Sequence, residues 1–177
     1  MHLPIAGSYH TELAAYTGLR ARDPRLEQGM RFALSAFYGS CDTVLSPSAE
    51  SDAALRDLGI DADRIGRWDR GVDIDRFRPE LREPAGLPGV PPDAITVLYA
   101  GRLTREKGAD LLADAFLAAH AADPRLHLCL AGGGPEEAQL RERVGEHATF
   151  LGWLAGDDLA RAYATADVFL FASRTDT

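Results

Sequence analysis

The sequence predicts an α/β chain built from two parallel-sheet domains. Three observations carry that prediction. Apolar runs such as Ile95–Ala100 and Leu126–Ala131 do not alternate with polar residues. Amphipathic stretches of helical length separate them, and a proline-rich break interrupts the chain near its middle. Strands that are apolar throughout are buried on both faces, as in a parallel sheet covered by helices.

Taken in order, Leu3–Gly7 reads as a strand that delivers Tyr9 and His10 at its C-terminal end. Leu26–Phe37 reads as a helix with Met30, Leu34 and Phe37 on one stripe. A strand at Thr43–Leu45 follows. Ser48 then caps a helix with Glu50 and Asp52 in its first turn, which ends near Leu58 and is stopped by Gly59. Ile65–Trp68 reads as one more strand, followed by "RGVD". The stretch from Phe77 to Asp93 holds five of the ten prolines and no periodicity. It reads as a linker over 79–93, between a first domain at 1–78 and a second at 94–177. In the second half, strands at Ile95–Ala100, Leu126–Ala131, Thr149–Leu151 and Val168–Phe171 alternate with three helices. These helices are Ala109–Ala121, with Leu112, Ala115, Phe116 and Ala119 at helical spacing, then Glu136–Val144, then one capped by Asp157 and running through Ala164. This is half of a doubly wound domain, and such domains bind ligands beyond the carboxyl ends of their strands. Trp68, Trp153, Phe169 and Phe171 are expected in the core, as is His127 inside its strand. The chain begins inside one expected strand and stops just past another. It therefore reads as a piece of a larger protein, with each sheet only partly present.

Composition narrows the function. The chain of 177 residues is 46% hydrophobic and 26% charged, enough for packed cores. A formal net charge of −8 argues against nonspecific grip on nucleic acid or an anionic membrane. Cys41 and Cys129 lack metal-type spacing and read as reduced core residues. No run approaches membrane-spanning length and the start lacks a signal-peptide pattern, so a cytoplasmic location is expected.

The stretch "YAGRLTREKGADLL" (Tyr99–Leu112) crowds Arg102, Arg105 and Lys107 between a strand and the start of a helix. The positive pole of the helix dipole already lies there, so cations are placed against the field unless an anion neutralises them. A diphosphate at the free N–H groups of the helix meets that demand. The alternative is a solvated loop in which Arg102 pairs with Glu106 or Asp110. "AGGGPEE" (Ala131–Glu137) is not a Walker loop, because no Lys-Ser/Thr follows, and Glu136 and Glu137 already satisfy their helix dipole. It reads as a tight turn, or as a place where the backbone of Gly132 and Gly133 closely approaches a ligand. In "FLGWL", Gly152 with Leu151 beside it reaches the same edge and offers a surface for a flat heterocycle. Asp61/Asp63 and Asp73/Asp75 form Asp-x-Asp pairs in turn-like stretches and read as solvated, with metal binding as the alternative.

The ordered series "SPS", "RGVDIDRFRP", "YAGRLTREKG", "LAGGGPE", "FLGWL" and "FLFASRTDT" resembles the family 4 glycosyltransferases, and "SYHTELAAY" resembles the part that carries their active-site histidine. The resemblance covers nearly the whole chain. It implies the GT-B fold, two Rossmann-like domains with acceptor mainly in the first and nucleotide sugar in the second. It implies retaining transfer of a hexosyl group, mannose or another hexose, from a GDP- or UDP-linked donor to a hydroxyl acceptor such as a glycolipid, with no metal or other cofactor. By resemblance Arg102 and Lys107 hold the donor diphosphate, and His10 lies close to the transferred sugar. Gly132, Gly133, Leu151 and Gly152 line the base and sugar. Asp176 orients the sugar hydroxyls from a position where the family usually has glutamate. The family's second acidic residue would lie past Thr177, and the glycine loop expected before His10 is absent, so the chain alone is expected to be inactive. Nucleic acid is not an expected partner; peripheral contact with the inner face of a membrane, through regions outside the chain, is. The competing readings are a nucleotide-sugar epimerase of the same fold, a noncatalytic nucleotide-sugar-binding remnant, and a metal-dependent transferase using the Asp-x-Asp pairs.

Overall fold

The computed structural model describes residues 3–10, 13, 23–68 and 71–173. The chain divides after Gly71 into two compact units. The first unit holds a parallel sheet of β1 (Ala6–Ser8), β2 (Thr43–Ser46) and β3 (Ile65–Arg67), in that order. Between them run α1 (Pro24–Gly39) and α2 (Ala49–Asp57). Asp23 caps α1 by accepting from Arg25 N–H at 2.9 Å, and Pro24 stands where a helix needs no donor. Helix α1 buries Leu34 and Tyr38, four residues apart, whereas Phe37 is 59% exposed and departs from the expected stripe. Ser48 caps α2 as expected, accepting from Ser51 N–H at 3.1 Å. Tyr9, Tyr38, Cys41, Val44, Leu55 and Ile60 share the core of this unit.

The second unit is a parallel sheet in the order β6-β5-β4-β7, from β4 (Ile95–Ala100), β5 (Leu126–Ala131), β6 (Ala148–Gly152) and β7 (Val168–Phe169). Helices α3 (Ala109–Ala122), α4 (Glu137–Val144) and α5 (Gly156–Thr165) connect the strands. The two faces are covered separately. Val97, Tyr99, Leu128 and Leu130 pack on Leu112, Phe116, Leu140 and Val144 of α3 and α4. Leu98, Cys129 and Ala131 face the other way, against Ala162 of α5 and Leu87. Uniformly apolar strands are explained by that two-sided cover. Burial pushes the Cys129 thiol up to about 12, so it is an inert core residue.

The proline-rich stretch packs as part of the second unit. Leu87 is buried, Arg82 reaches Asp167 at 2.5 Å, Glu83 N–H donates to Thr165 at 3.1 Å, and the Thr149 hydroxyl donates to Gly89 O at 3.0 Å. Helix α5 starts two residues earlier than a cap at Asp157 predicts, with Ala155 as its N-cap. Asp157 lies inside its first turn, with its carboxylate 3.0 Å from Arg76 Nε instead of on the helix end. Four aromatic residues expected in the core stand partly in solvent: Trp68, Trp153, Phe169 and Phe171. Two follow the ends of strands, and two belong to the sheet edge at β7, where the apolar pattern cannot say which side has a neighbour. No helix among the described residues is long and apolar enough to cross a membrane.

Candidate functional site

The site in the second unit is built where β4 ends. Gly101 N–H extends the ladder to Ala131 O at 2.9 Å. The hydroxyl of buried Tyr99 donates to Arg102 O at 2.9 Å, and Leu103, fully buried, plugs the loop into the core. A short 3₁₀ turn at Arg105–Lys107 leads to Gly108, whose φ of +75° favours glycine. A Cβ there would also strike the Ala172 carbonyl. Helix α3 then begins without a side-chain cap, because its N-cap, Gly108, has no side chain; Asp110 in its first turn is drawn to Arg143 at 3.4 Å and Gln139 at 3.2 Å. Ala109 N–H is taken by Thr104 O at 3.3 Å, and the other N–H groups of the first turn keep their positive character. Beside them Thr104 Oγ1 is buried with no hydrogen-bond partner among the described residues, a cost that a bound acceptor would remove.

Arg102 and Lys107 flank this turn. Arg102 is half-exposed and lies 3.6 Å from Glu106, the pairing that the sequence offered as an alternative. Exposed pairs of this length contribute little, so Arg102 is free to turn to a stronger anion. Lys107 is partly buried just before the start of α3.

The glycine loop docks on the same turn. A Cβ at Gly132 would run into the Gly101 carbonyl, and one at Gly134 into Leu103 O. These glycines let two backbone loops touch, which gives the triple glycine a packing reason apart from any ligand. A Cβ at Gly133 would lie 3.0 Å from the indole nitrogen of Trp153, which covers it. Gly132 N–H donates to Gly152 O at 2.7 Å, and a bulge between β5 and β6 leaves Leu151 without a partner in the register. Leu151 packs on the α5 side of the sheet, beside a cavity of about 590 Å³ whose walls carry neither Arg102 nor Lys107.

In the first unit, His10 follows β1 at the C-terminal edge of its sheet. Ser8 Oγ lies 2.5 Å from His10 Nε2, and the Trp68 ring meets the imidazole edge to face, with centroids 4.9 Å apart at 64°. Asp176 lies outside the described residues. Among the described residues no three His, Cys, Asp or Glu side chains converge to hold a metal ion. Asp73 instead accepts from Arg76 N–H at 3.1 Å, as a turn residue does, and Asp61, Asp63 and Asp75 are exposed. His127 is buried as expected and hydrogen bonded to Thr149 Oγ1 at 2.9 Å; burial, with His147 and His120 nearby, pushes its pKa down. Sequence reasoning missed Ser8, Trp68 and Thr104 as site residues. For the first two, the available signal was their place at the ends of expected strands.

Comparison with known proteins joins these observations. The family model described as Glycosyltransferase Family 4 matches residues 1–76, and the one described as Glycosyl transferases group 1 matches residues 94–177. A GDP-mannose-dependent alpha-mannosyltransferase of Corynebacterium glutamicum is 30% identical over all of this chain and 41% of its own length. The enzyme of that name in Mycobacterium tuberculosis is 36% identical over 77% of this chain and 34% of its own. A sulfoquinovosyl transferase of Arabidopsis thaliana is 30% identical over the whole chain and 35% of its own. The chain thus spans about two fifths or less of the curated relatives it matches. Among solved structures, Anabaena HepE in complex with UDP-glucose aligns with a TM-score of 0.72 at 21% identity, over 96% of this chain and 47% of that one. The pneumococcal O-GlcNAc transferase GtfA, in complex with UDP and GlcNAc, aligns at 0.64 and 19%, over 98% and 33%. With one model on each unit, identity running through both, and a fold shared with GT-B glycosyltransferases, this chain belongs to the family 4 glycosyltransferases.

Proposed function

We propose that the chain is the junction-spanning portion of a retaining hexosyltransferase that uses a GDP- or UDP-linked hexose without a metal ion. One observation carries the reading. Arg102, Lys107, the uncapped start of α3 and the orphaned Thr104 hydroxyl meet in one loop at the carboxyl edge of a parallel sheet. Such an edge is where this architecture binds nucleotides. The names of the mannosyltransferase relatives support mannose and GDP; those of the solved structures support UDP.

In the reaction, the bond from the anomeric carbon to the diphosphate breaks as the acceptor oxygen bonds to that carbon on the same face. The acceptor proton passes to the departing diphosphate. Negative charge grows on the leaving group, and fixed cations with helix N–H groups stabilise it without reorganising. His10 contacts the sugar and Asp176 orients its hydroxyls. The backbone at Gly132, Gly133 and Gly152 borders base and sugar, while the Leu151 side chain packs on the α5 face. A hydroxyl acceptor such as a glycolipid, met at the inner face of a membrane, completes the reading. The epimerase alternative gains nothing from the relatives described above.

Calorimetric titration of the chain with GDP and UDP tests the reading. Uptake of at least one of them, lost in the Arg102→Ala, Lys107→Ala double variant, is expected, and unchanged uptake there ends the assignment. Transfer by the whole protein is expected to persist in chelator.

A further inference from the structure

At the sheet edge of the first unit, Trp68 has its backbone N–H bonded to Ser46 O at 3.0 Å, which fixes the chain just past β3. Trp68 is 49% exposed. The ring is not loose on the surface, since it lies edge to face against His10. Ser8 Oγ holds Nε2 of the same imidazole, and Ser8 is itself held at its carbonyl by the Tyr38 hydroxyl, 3.2 Å away. One imidazole is therefore gripped by a hydrogen bond to a ring nitrogen, which sets its rotation about χ2. An aromatic wall restricts its swing about χ1.

We propose that Trp68 and Ser8 are positioning residues for His10 and hold its ring in one orientation toward the transferred sugar. The inference rests on the hexosyltransferase reading given above. Trp68 stands at the carboxyl edge of its sheet with its ring against the imidazole, where this architecture places its ligand contacts. Holding the imidazole in advance removes the need to order it at the moment of transfer.

Two measurements test the proposal. In ¹H–¹⁵N spectra of the chain, the two imidazole nitrogens of His10 should differ as in one hydrogen-bonded tautomer, and Ser8→Ala, which removes the bond at Nε2, should average them. In transfer by the whole protein, Trp68→Ala and Ser8→Ala should each lower kcat about tenfold or more. Affinity for GDP or UDP, set in the second unit, should change less than about twofold. Trp68→Phe, which keeps an aromatic edge, should recover most of the rate and guards against a folding defect in the alanine variant. Neither substitution should slow a His10→Ala enzyme further, since residues acting through one group are not additive. An unaltered His10 spectrum in Ser8→Ala, a wild-type kcat in either alanine variant, or losses that multiply with that of His10→Ala would each overturn it. Failure of GDP and UDP to bind the unmutated chain is a separate result: it removes the hexosyltransferase reading, and this proposal with it.

Discussion

Arg102 and Lys107 sit on one short turn but are not equivalent. Arg102 is solvent-facing and balanced against Glu106, while Lys107 is partly buried in the 3₁₀ turn that precedes α3. Loss of either preorganised cation is expected to cost about 2–4 kcal/mol in nucleoside diphosphate binding or turnover. Calorimetry with Arg102→Ala and Lys107→Ala measures it, and wild-type thermal unfolding of both variants separates binding from stability. Lys107→Arg should rescue only in part, since a planar fork does not replace a point charge in a tight turn. Gly108 carries a structural demand at the same place. Alanine there meets both an unfavourable φ and the Ala172 carbonyl, so Gly108→Ala should lose about 1–3 kcal/mol or more in urea denaturation. A variant as stable as wild type would show that Ala172 is not packed on this turn.

The helices and strands have separate causes that mutation can address one at a time. Helix α2 starts on the Ser48 side chain, which accepts from Ser51 N–H, and carries Glu50 and Asp52 in its first turn. Ser48→Ala should therefore cost about 1 kcal/mol, and Ser48→Asp should recover most of it, read from denaturation midpoints. These signals were legible in the sequence because capping and periodicity act over a few residues. The start of α5 was misread for the opposite reason: Asp157 has the chemistry of a cap, but Arg76, far away in the chain, takes its carboxylate. Phe37 was misplaced because a stripe drawn on an isolated helix does not show which sector meets the sheet; Leu34 and Tyr38 define that sector. The triple glycine was visible as a turn. That its carbons press on Gly101 and Leu103 was not.

At the scale of the molecule, the second unit gathers His127 of β5, His120 of α3 and His147 just before β6 in a cluster that predicts pH dependence. His127 is buried, its ring donates to Thr149, and Thr149 donates to Gly89, while the His120 and His147 rings lie 4.2 Å apart. Burial, then the neighbouring histidines, hold the His127 pKa below its ordinary 6.5. Above that value His127 is neutral both folded and unfolded and contributes no pH dependence. As pH falls below about 6.5, the unfolded chain takes the proton first. Stability then declines until pH passes the lowered folded value, and the slope vanishes. Melting temperatures from pH 7.5 to 5 should fall in wild type and fall less in His127→Asn; parallel curves would refute the assignment. Asp167, held below the usual carboxylate range first by Arg82 and then by Thr96 N–H, adds its own loss only at more acid pH. Read alone, the sequence determined the strand–helix alternation, the two-sided burial of the sheet in the second unit, the cap of α2, the cationic loop and the family motifs. All of these are written in residues close together in the chain. Tertiary structure alone decided that Trp68 stands on His10, that the glycine loop rests on the loop after β4, and that Leu87 of the proline-rich stretch closes one face of the sheet. Such contacts join residues far apart in sequence, and strand order and register, fixed only when the whole core packs cooperatively, bring them together.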